Sequence, residues 1–386
     1  MATRAIFMKE MTNGINRRQY MKNLSTAGLG AMAMMQSPAH ADTQRITSSP
    51  FNYPFKTFGA NEEIRVGMIG TVGHANIVTN GVTEAKNTRL VAYAVMGNKE
   101  AKVPTGATIY DGYEEMLDKE QLDVVGICLP YYQIAEASIA VARRNIHIIA
   151  EKPVATTLSN LYALMNAVTE NRVRLTTMLN MRVDPHYLAI KDSIAAGDIG
   201  EPILATAQKS YRFGESRPDF YKKKETYGGT IPWIGIHCLD YIHYTTNLDY
   251  TDVAAFQSNL DHPGYKPGFQ DNVGMLLRLS NGGTALINLD YLRPETATTH
   301  GDDRLRIVGS EGVIEIKDSG ARIELISSTR ETVDIPLPDR KSFFADFIEE
   351  LRGTGQHILT PEEPFAMTRV ALIAHQAAEQ HKLMAL

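Results

Sequence analysis

The sequence predicts an α/β protein in two parts: an N-terminal parallel sheet of dinucleotide-binding type, then an α/β part built on a large, mostly antiparallel sheet. Three observations carry this. Between residues 64 and 180, short apolar runs alternate with helical stretches, the pattern that builds parallel sheets through right-handed crossovers. The first run, Ile64-Arg65-Val66-Gly67-Met68-Ile69-Gly70, ends in a glycine turn ahead of a helix. Beyond residue 200, β runs succeed one another, several joined by turns such as Asn281-Gly282-Gly283 and Ser310-Glu311-Gly312.

In chain order, strands are predicted at 64–70, 89–96, 122–129, 146–150 and 174–179. Helices are predicted at 75–85, from Tyr113 to Leu117, and at 133–144, 158–170 and 185–196. Pro130 stops the third strand, and Gly197 closes the last of these helices. The second part reads as strands at 203–210, 253–259, 273–279, 284–291, 305–308, 313–316 and 322–326, with helices near 341–352 and 361–384. The expected divisions are 1–41, 42–63, 64–180 and 181–386.

Residues 1–41 read as an export signal. Asn16-Arg17-Arg18-Gln19-Tyr20-Met21-Lys22 precedes a weakly apolar run, Leu24 to Met35, and then the small-x-small pattern Ala39-His40-Ala41. The paired arginines resemble a twin-arginine (Tat) signal, so a periplasmic or other extracytoplasmic location is expected. Residues 42–63 carry Phe51, Tyr53, Phe55 and Phe58 without a period. They read as an extended arm lying on a neighbouring subunit, or as a loose linker.

The 386 residues are 44% hydrophobic and 22% charged, enough for two full-sized cores. A net charge of −5 argues against a nucleic-acid partner. No apolar run reaches the roughly 20 residues of a membrane span. Cys128 and Cys238 lie in apolar stretches and read as buried free thiols. His74, His237, His243 and the cysteines lack zinc-ligand spacing.

A strand that ends in glycines before a helix leaves backbone N–H groups for a pyrophosphate. The run here is Gly70-Thr71-Val72-Gly73-His74-Ala75, with Val72 where the G-x-G-x-x-G fingerprint has its second glycine, unless the turn is rearranged so that Gly73 serves. The second strand ends Val95-Met96-Gly97-Asn98-Lys99, without the usual ribose-binding acid. Asn98 can bond a ribose hydroxyl, and Lys99 or Lys102 would favour a 2′-phosphate, so NAD and NADP both stay open. Two further stretches supply chemistry. Ala150-Glu151-Lys152-Pro153 puts a lysine at a strand's carboxyl end, where ligands bind in α/β sheets. Gly228-Gly229-Thr230-Ile231-Pro232-Trp233-Ile234-Gly235-Ile236-His237-Cys238-Leu239-Asp240 leads from a turn into a helix carrying a histidine. Lysine and histidine converging on a dinucleotide suit hydride transfer, in which a hydroxyl proton must leave as hydride departs.

These residues resemble the Gfo/Idh/MocA oxidoreductases. Glu151-Lys152-Pro153, Met181-Arg182-Val183-Asp184-Pro185, Gly197-Asp198-Ile199-Gly200-Glu201-Pro202 and the stretch from Gly228 to Asp240 occur in the family's order, over roughly residues 64–380. The resemblance implies a Rossmann domain, a second α/β domain with an open sheet, NAD(P) chemistry on sugars or polyols, and a homo-oligomer. It implies that Lys152 contacts nicotinamide and substrate and that His237 is the acid/base. Expected cofactor contacts are Gly70, Thr71, Val72, Gly73, His74, Asn98, Pro130, Glu151, Lys152 and Arg182. Expected substrate contacts are Tyr211, Trp233 and Asp240, with Arg212, Tyr291, Arg293 and His300 at nearby strand ends or loops.

The chain departs from the family at three points. Trp233 stands where many members have an aspartate one helical turn before the histidine, and Tyr131 and Ile134 replace a common asparagine and histidine. Trp233 either stacks on a sugar ring or fills the core. Asp240 either orients His237 or sits on the helix surface. Export implies a tightly held cofactor, because free nicotinamide nucleotide is scarce outside the cytoplasm. Two other functions fit the same residues: an NAD-dependent glycosidase that oxidises transiently and eliminates, and a sugar binder without catalysis.

Overall fold

The computed structural model describes residues 49–98, 100–317, 320–329 and 331–386. The expected export signal and Lys99 lie outside the described residues.

Short apolar strands buried on both faces need helices above and below them, and that is how the first part is built. Strands β1 (Ile64–Ile69), β2 (Thr88–Ala94), β3 (Thr108–Tyr110), β4 (Val124–Ile127), β5 (His147–Ala150) and β6 (Leu175–Thr177) form a sheet of order β3-β2-β1-β4-β5-β6. Every neighbouring pair is parallel. Helices α1 (Ala75–Glu84), α2 (Tyr113–Lys119), α3 (Tyr131–Ala142) and α4 (Leu158–Glu170) make the crossovers. The strand order reverses beside β1, which opens a crevice at the carboxyl ends of β1 and β4. Strand β3 escapes the sequence pattern because it is a three-residue edge with its side chains largely outside the core.

The second sheet runs β14-β13-β12-β11-β7-β10-β9-β8-β15. Its strands are β7 (Pro202–Tyr211), β8 (Tyr250–Ser258), β9 (Asn272–Leu279), β10 (Thr284–Asp290), β11 (Gly301–Gly309), β12 (Gly312–Lys317), β13 (Arg322–Ser327), β14 (Val333–Ile335) and β15 (Met384–Ala385). All pairs are antiparallel except β7 with β10, where the long excursion between them allows a parallel return. Alternate residues Ala205, Ala207 and Lys209 of β7, and Ala285, Ile287 and Leu289 of β10, are buried on one face. Against the first part and this buried face pack α5 (Pro185–Ala195), α6 (Ile236–Thr246), α7 (Phe343–Leu351) and α8 (Glu363–Gln380). The terminal helix stops short of residue 384 because His381 turns left-handed, at φ 52°, and β15 then pairs beside β8. Among the described residues no helix is long and apolar enough to cross a membrane. Cys128 and Cys238 are buried free thiols.

Residues 50–58 of the arm pack against their own chain. Phe51 stacks on Phe365 at 4.9 Å, the Tyr53 hydroxyl donates to Val173 O at 2.9 Å, and Phe58 N donates to Leu351 O at 2.9 Å. Burying these aromatic rings supplies the driving force.

Two buried histidines are held neutral. His147 Nδ1 accepts from Arg174 N–H at 2.9 Å, so protonation there would oppose two donors. His357 bridges Asp346 at 2.6 Å and Thr176 at 2.8 Å. Burial pushes each imidazole down from 6.5 to about 4. The unfolded chain therefore takes up these protons first. Their stabilisation is full above about pH 6.5 and is lost as pH falls toward 4, each group contributing up to about 3 kcal/mol. Thermal melts should show the midpoint falling across that window, and a midpoint constant from about pH 7 to 4.5 would refute the assignment.

Candidate active site

Strand β5 delivers Glu151 and Lys152 to the crevice at its carboxyl end. Both are buried, and the Lys152–Pro153 peptide is cis. Lys152 Nζ donates to the carbonyl of Trp233 at 2.8 Å and sits 3.1 Å from the centroid of its indole ring. A desolvated ammonium on an indole face gains about 2 kcal/mol. Burial nevertheless pulls the amine from 10.5 to about 7, with Glu151 opposing and Lys209 adding to the shift.

The turn after β1 is shaped by Glu151. Its Oε2 accepts from His74 N–H at 2.6 Å and lies 2.8 Å from His74 Nδ1, while Oε1 accepts from Lys152 N–H at 3.0 Å. Burial alone would raise this carboxyl; the neighbouring His74 and Lys152 more than offset it and hold it below its ordinary value. Gly73 makes the arrangement possible. It stands at φ 78°, and a Cβ there would lie 2.1 Å from Glu151 Oε2. The second glycine of this turn therefore admits a carboxylate. Gly70, at φ 74°, would set a Cβ 2.3 Å from Cys128 O.

His237 stands in the first turn of α6, which is entered through a π-helical turn at Ile231–Gly235. Such turns leave backbone carbonyls off the regular ladder, and here Trp233 O points to Lys152. The Trp233 ring stacks on Tyr131 at 4.0 Å and 22° and carries Lys152 as well. The indole faces are thus occupied by protein, so the expected stacking on a sugar gives way to a seat for the lysine. His237 is buried, its Nδ1 has no partner, and burial with the charges of Lys152 and Lys209 pushes it well below the ordinary histidine value.

Asp240 neither orients His237 nor sits on the helix surface. It is fully buried against Arg182, whose Nη2 donates to Oδ1 at 2.7 Å and whose Nε reaches both oxygens. Arg182 Nη1 also pairs with Glu363 at 2.8 Å and donates to Ile358 O at 3.1 Å. Arg182 was expected at the cofactor; every donor instead ties α6 to the start of α8. The two carboxylates keep its guanidinium charged against the cost of burial.

A cavity of about 230 Å³ is lined by His74, Lys152, Tyr211, Arg217, Trp233, Ile234, His237, Tyr291 and His300. The structure thus joins Lys152, His237, His74, Trp233 and Tyr211 in one site, with Tyr291 and His300 beside them. His74 and His237 meet edge to face with ring centroids 6.2 Å apart. Arg212 and Arg293 lie away from this lining and bond to Glu295 O and Thr299. Arg217 was missed; it lies in an irregular loop with no sequence period to mark it. Lys209 was also missed. It is buried beneath Tyr211 and paired with Asp303 at 2.6 Å, and a lysine on the inward alternation of β7 is the signal that could have revealed it.

The residues present fit a dinucleotide. Helix α1 has no side-chain cap and no acid in its first turn; the N–H groups of His74 and Ile77 are taken by Glu151 and His74 O, which leaves those of Ala75 and Asn76 for an anion. Thr71, Val72 and Gly73 stay at least partly exposed there. The exposed Asn98 donates to Thr71 Oγ1 at 3.0 Å, beside the same turn. Pro130 caps α3 across the crevice. Among the described residues no cluster of histidine, cysteine and carboxylate side chains is arranged to hold a metal.

Comparison with known proteins adds to this geometry. Residues 64–179 match the oxidoreductase family model with an NAD-binding Rossmann fold, GFO_IDH_MocA. Residues 187–315 match the GFO/IDH/MocA C-terminal domain model. A solved structure of a candidate oxidoreductase from Thermotoga maritima shares 34% identity, with a TM-score of 0.77 over 84% of this chain and 100% of that one. The inositol 2-dehydrogenase of Rhizobium meliloti is 27% identical over 65% of this chain and 74% of its own length. The aldose-aldose oxidoreductase of Caulobacter crescentus shares the fold at 19% identity, with a TM-score of 0.71 over 84% and 100% of the two chains.

Proposed function

The chain belongs to the GFO/IDH/MocA family of oxidoreductases, and on that premise we propose an exported enzyme that moves a hydride between a tightly held nicotinamide cofactor and a secondary alcohol of a sugar or polyol. The observation that carries the reading is a cavity lined by Lys152 and His237 together with His74 of the nucleotide turn. A bound NAD or NADP would supply the hydride acceptor or donor. The turn from Gly70 to His74, with Asn98, would hold its pyrophosphate and ribose. Lys152 and His237 would hold the reacting oxygen, and the charged form of Lys152 would polarise a carbonyl in the reducing direction. Tyr211, Tyr291, Arg217 and His300 would line the rest of the substrate. The small, partly polar cavity suits a hydroxylated ring, in keeping with the inositol and aldose enzymes among the relatives.

Two parts of the proposal rest on other features. Export rests on Arg17-Arg18 and the pattern after them. Self-association rests on the outer face of the second sheet, where Phe256 is 69% exposed and Leu276 lies opposite Leu286 in register, both in the open. Light scattering after size exclusion tests the assembly.

The direct experiment is to purify the exported protein, denature it and identify the released small molecules by mass spectrometry. Stoichiometric NAD(H) or NADP(H) is expected. The intact protein, offered myo-inositol, D-glucose and related sugars, should then show nicotinamide reduction. No released nucleotide, together with no binding of either added cofactor, would overturn the proposal.

A further inference from the structure

Many relatives of this chain were expected to pair the site histidine with an aspartate one helical turn earlier; Trp233 occupies that place and offers His237 no acid. A carboxylate–imidazole pair exists all the same, built from other elements. Glu151 Oε2 lies 2.8 Å from His74 Nδ1 and simultaneously accepts from the His74 backbone N–H at 2.6 Å, so the ring is held at two points. The carboxylate is wholly buried and can reach this position only because residue 73 is glycine.

We propose that His74, oriented by Glu151, accepts the substrate's hydroxyl proton, while His237 holds the same oxygen as a neutral imidazole. The idea rests on the hydride-transfer reading above and divides its labour. With Nδ1–H directed at the carboxylate, the neutral ring of His74 keeps Nε2 as an acceptor. His74 lines the same cavity as Lys152 and His237. Glu151 Oε2 sits against His74 Nδ1 at 2.8 Å, and the ring is 35% exposed, so a proton on it has a route to water. A proton gained by His237 would be buried, with the charges of Lys152 and Lys209 acting against it and no hydrogen-bond partner at Nδ1. In the step, the substrate C–H bond would break and its electron pair would leave as hydride, for which a bound NAD+ or NADP+ would supply the acceptor. The O–H bond breaks, its proton passes to His74 Nε2, and the C=O bond forms. The reverse reaction returns the same proton.

The test uses holoprotein loaded with NAD+ or NADP+ and two readouts. In NMR of ¹⁵N-histidine-labelled protein, His74 should show a fixed Nδ1–H tautomer that is lost in Glu151→Gln. With whichever sugar or polyol of the panel turns over, His74→Gly should lower kcat by about 10²–10⁴-fold. The loss of rate should exceed any loss of cofactor affinity, and imidazole in the buffer should restore part of the rate. His237→Gln should mainly raise KM. Full turnover in His74→Gly, or a loss of rate that merely tracks lost cofactor affinity, would overturn the role. If no panel compound reacts, a His74 ring that averages between tautomers in wild type overturns the pair, and a fixed ring released by Glu151→Gln supports it. Failure of the hydride-transfer reading itself is seen separately, as absence of cofactor binding.

Discussion

Lys152→Met is expected to lower kcat/KM for reduction of a keto-sugar by about 10²–10³-fold near pH 6, the loss typical of removing one charged donor from a developing alkoxide. The loss should shrink above about pH 8. The reason lies in the environment of the amine: burial brings it down to about 7, so it is charged below neutrality and largely neutral above. Wild-type reduction should accordingly fall as pH rises through about 7, and the ratio of wild-type to variant rates should fall with it. Methionine keeps much of the aliphatic bulk over the Trp233 ring, which limits collapse of the seat. The measurement is kcat/KM for both proteins at several pH values, with cofactor affinity determined alongside. A ratio that is the same at acid and alkaline pH would show that the charge of Lys152 plays no part in the rate.

Asp240→Asn should be the most damaging change to the scaffold. Arg182 and Asp240 are both buried, with the pair at 2.7 Å, and removing the Asp240 charge leaves the guanidinium with Glu363 alone. Such losses cost about 3–5 kcal/mol. For a chain of this size that is a drop in melting midpoint of about 5 °C. Glu363 still faces Arg182 at 2.8 Å, which keeps the estimate within that range. Arg182→Met combined with Asp240→Leu should recover much of the loss, because an apolar pair removes both fully buried charges while Glu363 keeps His243 at 3.3 Å. Thermal melts of the three variants, with NADH or NADPH titrations, check the assignment. A single Asp240→Asn variant that melts with wild type would remove Arg182–Asp240 as the clamp of α6. Cofactor affinity lost by the apolar pair despite a recovered midpoint would restore Arg182 to the nucleotide site.

The clamp also shows where the sequence reading went astray. Asp240 lies three residues after His237, and that spacing suggested a shared face. The helix does bury both residues, yet Asp240 turns to Arg182, 58 positions away. Arg182 sits in a family motif just after the last parallel strand and was read as a cofactor contact for that reason. Its guanidinium is consumed by Asp240, Glu363 and Ile358 O. Trp233 was weighed as a sugar platform or a core residue. It became a support for Lys152, a pairing that depends on a carbonyl released by a π-helical turn and on a strand end 81 positions earlier.

The sequence by itself determined the alternation of strands and helices through residue 180, the change to hairpin-linked strands after residue 200, and the lysine and histidine that meet in the cavity. These follow from local periodicity, from turn residues, and from the rule that ligands gather at the carboxyl ends of parallel strands. Tertiary structure alone decided which acid serves which base. Glu151 reaches His74 across 77 positions, and Asp240 is spent on Arg182, because a buried charge takes the partner the packed elements bring within reach, whatever its distance along the chain.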